Sequence, residues 1–251
     1  MKVGYVVLYK DGTLTISKKH TILQKPIYKD YGEFDDDNVS WKEDSKKIKI
    51  VQIVDQVKSN CMKEWFDNCC NLTTLINFQN LDVSDCENFV NLFFNCVDLV
   101  DILSLKSWNV SNGKKFDGMF CHCSSLEDIS VLKNWDMSNG KDFYYMFGNC
   151  KSLRNIFALK DWDVSNGKDF YSMFKACKSL INISILSNWN VSNGKDFRTM
   201  FGDCINLRKI QLPNTLKSLN YQIFIGCSPM LQILWKDKIY IYDDLKEYQK
   251  F

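Results

Sequence analysis

Phe-x-x-Cys occurs seven times in this chain, and the first six copies are spaced by 27 residues. The phenylalanines are Phe66, Phe93, Phe120, Phe147, Phe174 and Phe201; the cysteines are Cys69, Cys96, Cys123, Cys150, Cys177 and Cys204. A seventh copy, Phe224 with Cys227, follows after 23 residues. A fixed period in the twenties marks a stack of coils, because one coil cannot bury its own apolar face and relies on its neighbours. It argues against a globule built around a central cleft.

The coil that starts at Trp135 shows what each position does. Phe143, Met146, Phe147 and Cys150 fall at i, i+3, i+4 and i+7, which predicts a short helix of about two turns. Asn139-Gly140 predicts a turn in which glycine supplies a positive φ, repeated at Gly113, Gly167 and Gly194. Leu153 and Ile156, with Leu126/Ile129, Leu180/Ile183 and Leu207/Ile210, predict one short strand per coil. The expected fold class is therefore an α/β repeat solenoid, with a parallel sheet on one face and short helices on the other. Phe89, Phe116, Phe143, Phe170 and Phe197 form one column expected inside, and Trp108, Trp135, Trp162 and Trp189 form another. Ser111, Ser138, Ser165 and Ser192, with Asn112, Asn139, Asn166 and Asn193, are expected to bond turn backbone. The last coil lacks the Trp and Asn-Gly features and carries Leu212-Pro213 instead.

Eleven cysteines are present, seven of them locked to the repeat. Neighbouring coils about 5 Å apart lie within reach of a disulfide. Parallel side chains aimed into one core read instead as buried, reduced thiols acting as small apolar fillers. A net charge of +2 gives no bulk attraction for nucleic acid or for an anionic membrane. No apolar run reaches the roughly 18 residues of a membrane helix. The apolar stretch from Val3 to Tyr9 is shorter than a secretion signal and runs into Asp11-Gly12, so it reads as a strand.

Residues 1–60 are not periodic and read as a β-rich N-terminal cap, with a hairpin about Asp11-Gly12 and a strand from Ile48 to Val54. Residues 61–232 make up about seven coils, and 233–251 a C-terminal cap of strands and a short helix capped by Asp243 and running through Gln249. Asp35-Asp36-Asp37 lacks the alternating spacing of a calcium loop and reads as a solvated loop.

With the coil laid out, Trp-Asp-Val-Ser-Asn followed by Met-Phe-x-x-Cys-x-Ser-Leu, as in Trp162 to Leu180, resembles the BspA-like leucine-rich repeat family of surface proteins. The coil from Ile210-x-Leu212-Pro213 to Phe224-x-x-Cys227 is similar to the shorter, 23-residue repeat of the same superfamily. The hairpin from Tyr5 to Thr15 resembles one that often precedes such arrays. The likeness covers roughly residues 60–235. It implies a leucine-rich repeat fold and a role in adhesion, host contact or other protein binding, in proteins that are usually exported. The unpaired thiols and the lack of a signal or membrane segment point the other way, to the cytoplasm.

No catalytic site, cofactor site or metal site is expected. The chain has only His20 and His122, and no phosphate loop, dinucleotide fingerprint or nucleophile elbow. Cys121-His122-Cys123 includes a core ladder position whose direction opposes that of its neighbours, so a core reading is preferred to a metal site. The residues flanking each inward isoleucine are expected to point outward and to vary, and they form the candidate partner-binding face: Ile76, Asp101, Leu103, Asp128, Asn155 and Phe157. The columns continue through Asn182 and Ser184 to Lys209 and Gln211. The expected function is a non-enzymatic, monomeric protein-binding scaffold of adhesin or host-contact type. The alternatives are an intracellular adaptor and a self-associating structural module.

Overall fold

The computed structural model describes residues 2–36, 39–181 and 183–248. At the N-terminus, β1 (Lys2–Tyr9) and β2 (Thr13–Ser17) form an antiparallel hairpin. Its turn needs Gly12, at φ +89, where a Cβ would lie 2.8 Å from the Lys47 carbonyl oxygen. β1 also pairs with β3 (Ile27–Asp35), an edge strand interrupted by register shifts. β4 (Ile50–Ile53) lies parallel to β2, and β5 (Val57–Lys58) follows it. β6 (Thr74–Ile76) and β7 (Leu81–Asp82) belong to the first coil and pair in parallel with β4 and β5. The cap thus hands its hydrogen-bonding edge to the array. Asp36 accepts from the Ser59 hydroxyl and the Asn60 amide, tying the expected loop down, while Asp37 lies outside the described residues.

The short helices expected over Phe143–Cys150 and its equivalents are not formed. Each segment is instead a ribbon of overlapping turns. Met146, Gly148 and Cys150 amides donate to the carbonyls of Phe143, Tyr145 and Phe147. The amides between them, of Phe143, Tyr145, Phe147 and Asn149, donate to Asp169, Tyr171, Met173 and Lys175 of the next coil. Tyr145 and Asn149 are left-handed, at φ 53° and 61°, and so are Ser172/Ala176 and Thr199/Asp203. A left-handed residue every fourth position breaks a helix and frees alternate amides for the neighbouring coil. The i, i+3, i+4, i+7 pattern remains because the ribbon also returns to its inner side every three to four residues. One position in each of five coils forms a parallel bridge, from Asn88 through Lys115, Asp142 and Asp169 to Asp196.

Among the described residues, the strands expected at Leu-x-x-Ile form only at the two ends of the array, as β6 and as β8 (Lys209–Gln211). In the four coils between, the isoleucine leads into a 3-10 helix: Leu103–Leu105, Ser130–Asn134, Phe157–Leu159 and Ser184–Asn188. Side chains just before them decide this. Asp101, Asp128 and Asn155 accept from the amides of Leu103, Ser130 and Phe157, two residues on, which starts a turn where a strand would run straight.

The inward columns stand as the repeat demands. Rings of the Phe66-to-Phe224 column stack at 5.4–6.0 Å between centroids. Those from Phe89 to Phe197 stack at 5.2–5.9 Å. The four tryptophans are buried, and each indole N–H donates to a carbonyl of the preceding coil, as Trp162 does to Leu132 at 2.9 Å. Asn112, Asn139, Asn166 and Asn193 amides reach back to the carbonyls of Ser84, Ser111, Ser138 and Ser165, each at 2.8 Å. The Asn-Gly glycines do not supply positive φ; they make room. A Cβ on Gly113, Gly140, Gly167 or Gly194 would lie 2.1–2.5 Å from the ring tip of the phenylalanine three residues on.

The ladder thiols also do more than fill space. Cys96, Cys123, Cys150, Cys177 and Cys204 each donate S–H to a phenylalanine carbonyl of the preceding coil, at 3.1–3.2 Å. Burial pushes their acidities down, raising Cys227 to about 12. All eleven cysteines are free. At the C-terminus, β8 pairs with β9 (Gln232–Trp235), which turns into β10 (Lys238–Ile241) and then α1 (Tyr242–Tyr248). Asp243 lies inside the first turn of α1 rather than capping it, and Gln249 is outside the described residues. One continuous core of buried residues runs from Val3 to Leu245.

Candidate interaction surface

The 3-10 side of the array carries the variable residues, so the candidate face is a row of turns, not the face of a sheet. Leu103 is 59% exposed and Phe157 is 64% exposed; Asp101, Asp128 and Asn155 are also exposed, and Ile76 is half-buried on β6. Asp101, Asp128 and Asn155 each spend one side-chain oxygen on the turn amide beside them. Their position is therefore set by the backbone rather than by neighbouring side chains. Lys160 places its ammonium 5.9 Å from the Phe157 ring, which leaves the aromatic flanked by positive charge.

Two exposed residues join this strip that the expected columns did not include: Val100, 54% exposed, and Ile181, 61% exposed. They precede Asp101 and Asn182, and Asn182 itself lies outside the described residues. Their column runs Val100, Glu127, Arg154, Ile181, Arg208, and it varies as freely as the ones chosen. The signal was present one residue upstream. The 27-residue register keeps these positions adjacent: the Ser104 hydroxyl donates to the Leu75 carbonyl, and the backbone amides of Ser152 and Arg208 donate to the carbonyls of Ser124 and Ile181. Charge changes along the strip. Asp101, Glu127 and Asp128 lie toward the N-terminal coils, and Arg154, Arg208 and Lys209 toward the C-terminal ones. Glu127 and Arg154 meet across the boundary at 3.6 Å, both well exposed.

The opposite side of each coil is built differently. Phe147, on the inner side of the turn ribbon, meets Trp162 at 6.5 Å, so the core lies between the two sides. On the outer side Tyr144 and Tyr171 stack at 5.4 Å, and the Arg198 guanidinium lies 5.4 Å from Tyr171 while bonding both oxygens of Asp196. Asp169, between Asp142 and Asp196, has its pKa raised by desolvation first and by those like charges next.

Cys121-His122-Cys123 departs from the expected alternation. Cys121 is buried as well as Cys123, and His122 packs edge-on against Phe94 at 5.6 Å, with burial lowering its pKa. Among the described residues, no three or more His, Cys, Asp or Glu are grouped to hold a metal ion.

Coils stacked on one core, with a buried leucine repeated at Leu72, Leu99, Leu126, Leu153, Leu180 and Leu207, define a leucine-rich repeat array. The chain belongs to the family described as Mycoplasma protein of unknown function, DUF285, which matches residues 59–180 and 131–221, well over half its length. No curated protein matches it. Among solved structures, it is similar to a leucine rich cell surface protein from Faecalibacterium prausnitzii A2-165, with 14% identity and a TM-score of 0.28 over 98% of this chain and 97% of that one. It is also similar to a leucine-rich repeat protein from Eubacterium ventriosum ATCC 27560, with 14% identity and a TM-score of 0.26 over 94% and 84%. At such scores neither likeness bears on how this chain folds or acts.

Proposed function

We propose that this chain is a non-catalytic, protein-binding leucine-rich repeat scaffold whose partner docks along the 3-10 side of the array. The observation that carries the reading is the contrast between columns. Inward positions repeat coil after coil, while Val100, Leu103, Phe157 and Ile181 are large apolar groups exposed by about half or more. A soluble repeat array gains nothing in stability from apolar groups held in water, and a row of them on a rigid frame matches the apolar centre of a protein interface. The acidic-to-basic change along the strip gives a docked partner one preferred direction. For surface display with an adhesive or host-contact role, the support is the resemblance of the repeats to BspA-like surface proteins and nothing else. Among the described residues, no helix is long and apolar enough to cross a membrane.

A photo-reactive phenylalanine analogue placed at position 157 or 103 tests the reading, with one at position 144 as the opposite-side control. Cross-linking to the same protein from 157 and 103 but not from 144 is the expected result. With that protein purified, Phe157→Glu is expected to weaken binding at least about tenfold, the scale of a central interface residue. Unchanged affinity in both Phe157→Glu and Leu103→Glu contradicts the proposal. Surface biotinylation of intact cells separates display from an internal adaptor role.

A further inference from the structure

The array changes its repeat length once, and the change opens a cleft. From Phe89 to Phe197, rings in successive coils lie nearly parallel, 4–19° apart. Each ring is covered by the next, and Phe89, Phe116, Phe143 and Phe170 are fully buried. After Phe197 the coil is 23 residues long. The Thr199 amide donates to the Gln222 carbonyl as the Ser172 amide does to that of Arg198, and the Gln222 amide donates to Asn220 Oδ1 as the Arg198 amide does to Asp196, so Tyr221 takes the place of Phe197 in this coil. Here a 3-10 helix, Tyr221–Phe224, replaces the turn ribbon of the longer coils, and Phe197 is left half-exposed. Gly194 keeps this last ring in place, since a Cβ there would lie 2.1 Å from the ring tip. Beside the ring is a cleft of about 510 Å³, its apolar side formed with Leu216 and Ile223.

The walls carry an excess of positive charge. Lys195, Arg198 and Lys217 line the cleft together with Asp196. Asp196 is held by Arg198 through both carboxylate oxygens, which leaves the two ammonium groups as the excess. Asn220 and Gln222 add side-chain amides. A cleft of this volume lies in the range of ligand sites. A half-exposed aromatic ring on one side and excess positive charge on the other define what fits: a ring to pack on Phe197 and carboxylates to meet the lysines.

We propose that this cleft binds an aromatic side chain flanked by acidic residues in a partner peptide, the ring stacking on Phe197 and the carboxylates facing Lys195 and Lys217. The proposal rests on the reading of the array as a protein-binding frame, and it names a contact separate from the 3-10 strip. The probe is acetyl-Glu-Phe-Asp-amide, titrated into the ¹⁵N-labelled full chain and followed by amide chemical shifts. Saturable shifts centred on Lys195, Phe197, Asn220 and Gln222 are expected. Acetyl-Glu-Leu-Asp-amide should bind about three- to tenfold more weakly, the value of an aromatic pair. Acetyl-Gln-Phe-Asn-amide should also bind more weakly, and added salt should erase that difference. Lys217→Glu, a change at an exposed position, should weaken the probe while shifts elsewhere stay unchanged. Phe157→Glu should leave probe binding as it is, so failure of the strip and failure of the cleft can be told apart. The proposal is overturned if the leucine and phenylalanine peptides bind alike, if shifts scatter beyond the cleft, or if none saturates by about 10 mM. It is also overturned if phenylacetate binds as tightly as the peptide, which makes the cleft a small-acid site.

Discussion

Replacing Gly140 by alanine puts a methyl group 2.5 Å from the Phe143 ring tip. Gly140 has no positive φ, and at such a position alanine ordinarily stabilises by about 0.4–1 kcal/mol through the unfolded chain. Here the ring must move, and it is clamped between Phe116 and Phe170. Gly140→Ala is therefore expected to destabilise by about 1–3 kcal/mol, the cost of overpacking, measured by urea unfolding. The opposite sign is expected at Ala176, which sits left-handed at φ 57°. Ala176→Gly should stabilise by up to about 1 kcal/mol, because it removes the steric cost of that conformation. If both variants follow their intrinsic preference for a free chain, ring packing and turn strain do not govern these coils.

At the scale of the element, Asp128 starts the 3-10 turn by accepting from the Ser130 amide at 2.8 Å and the Ser130 hydroxyl at 2.9 Å. Asp128→Ala should cost about 1 kcal/mol and speed hydrogen exchange at Ser130, with little effect two coils away. The N-terminal cap has a sharper handle. Lys47 first, then Tyr31 and Lys29, hold the Asp44 carboxyl at about 2, below its ordinary value. A carboxylate with a depressed folded pKa stabilises fully above its unfolded pKa and loses that contribution as pH falls toward the folded one. The cap is thus expected to loosen between about pH 4 and pH 2, read from Trp41 fluorescence, and Asp44→Asn should flatten that step. The same scale shows where sequence patterns stop informing. Inward and outward positions were legible, since Phe143, Met146, Phe147 and Cys150 are all buried and Leu103 and Phe157 are both exposed. The element type was not. A turn ribbon with left-handed Tyr145 and Asn149 presents the same apolar spacing as a helix, and nothing in the residue types marks those two dihedrals. Likewise Leu-x-x-Ile reads as a strand unless the Asx turn at Asp101 or Asp128 is weighed against it. Val100 and Ile181 escape the pattern because it marks as outward only the positions adjacent to the inward isoleucine.

Across the whole molecule, one buried cluster joins cap, coils and C-terminal strands. Phe120→Ala, within the longest ring column, should cost about 3–5 kcal/mol. Because each coil bonds its neighbours through backbone, ring, indole and thiol, the loss should appear as one earlier unfolding transition, checked by calorimetry. Two separate transitions would mean that the cap and the array are independent.

The central claim is that identical residues in successive coils share one interior, leaving only the differing ones to meet a partner. Counting alkylated cysteines by intact mass, before and after denaturation, tests this most directly. Nine cysteines are buried and two, Cys61 and Cys70, are half-buried. The account predicts that in the native protein modification is confined to those two, and that all eleven are modified once it is unfolded. Native modification of Cys96, Cys123, Cys150 and Cys177 at the rate of Cys61 would contradict it.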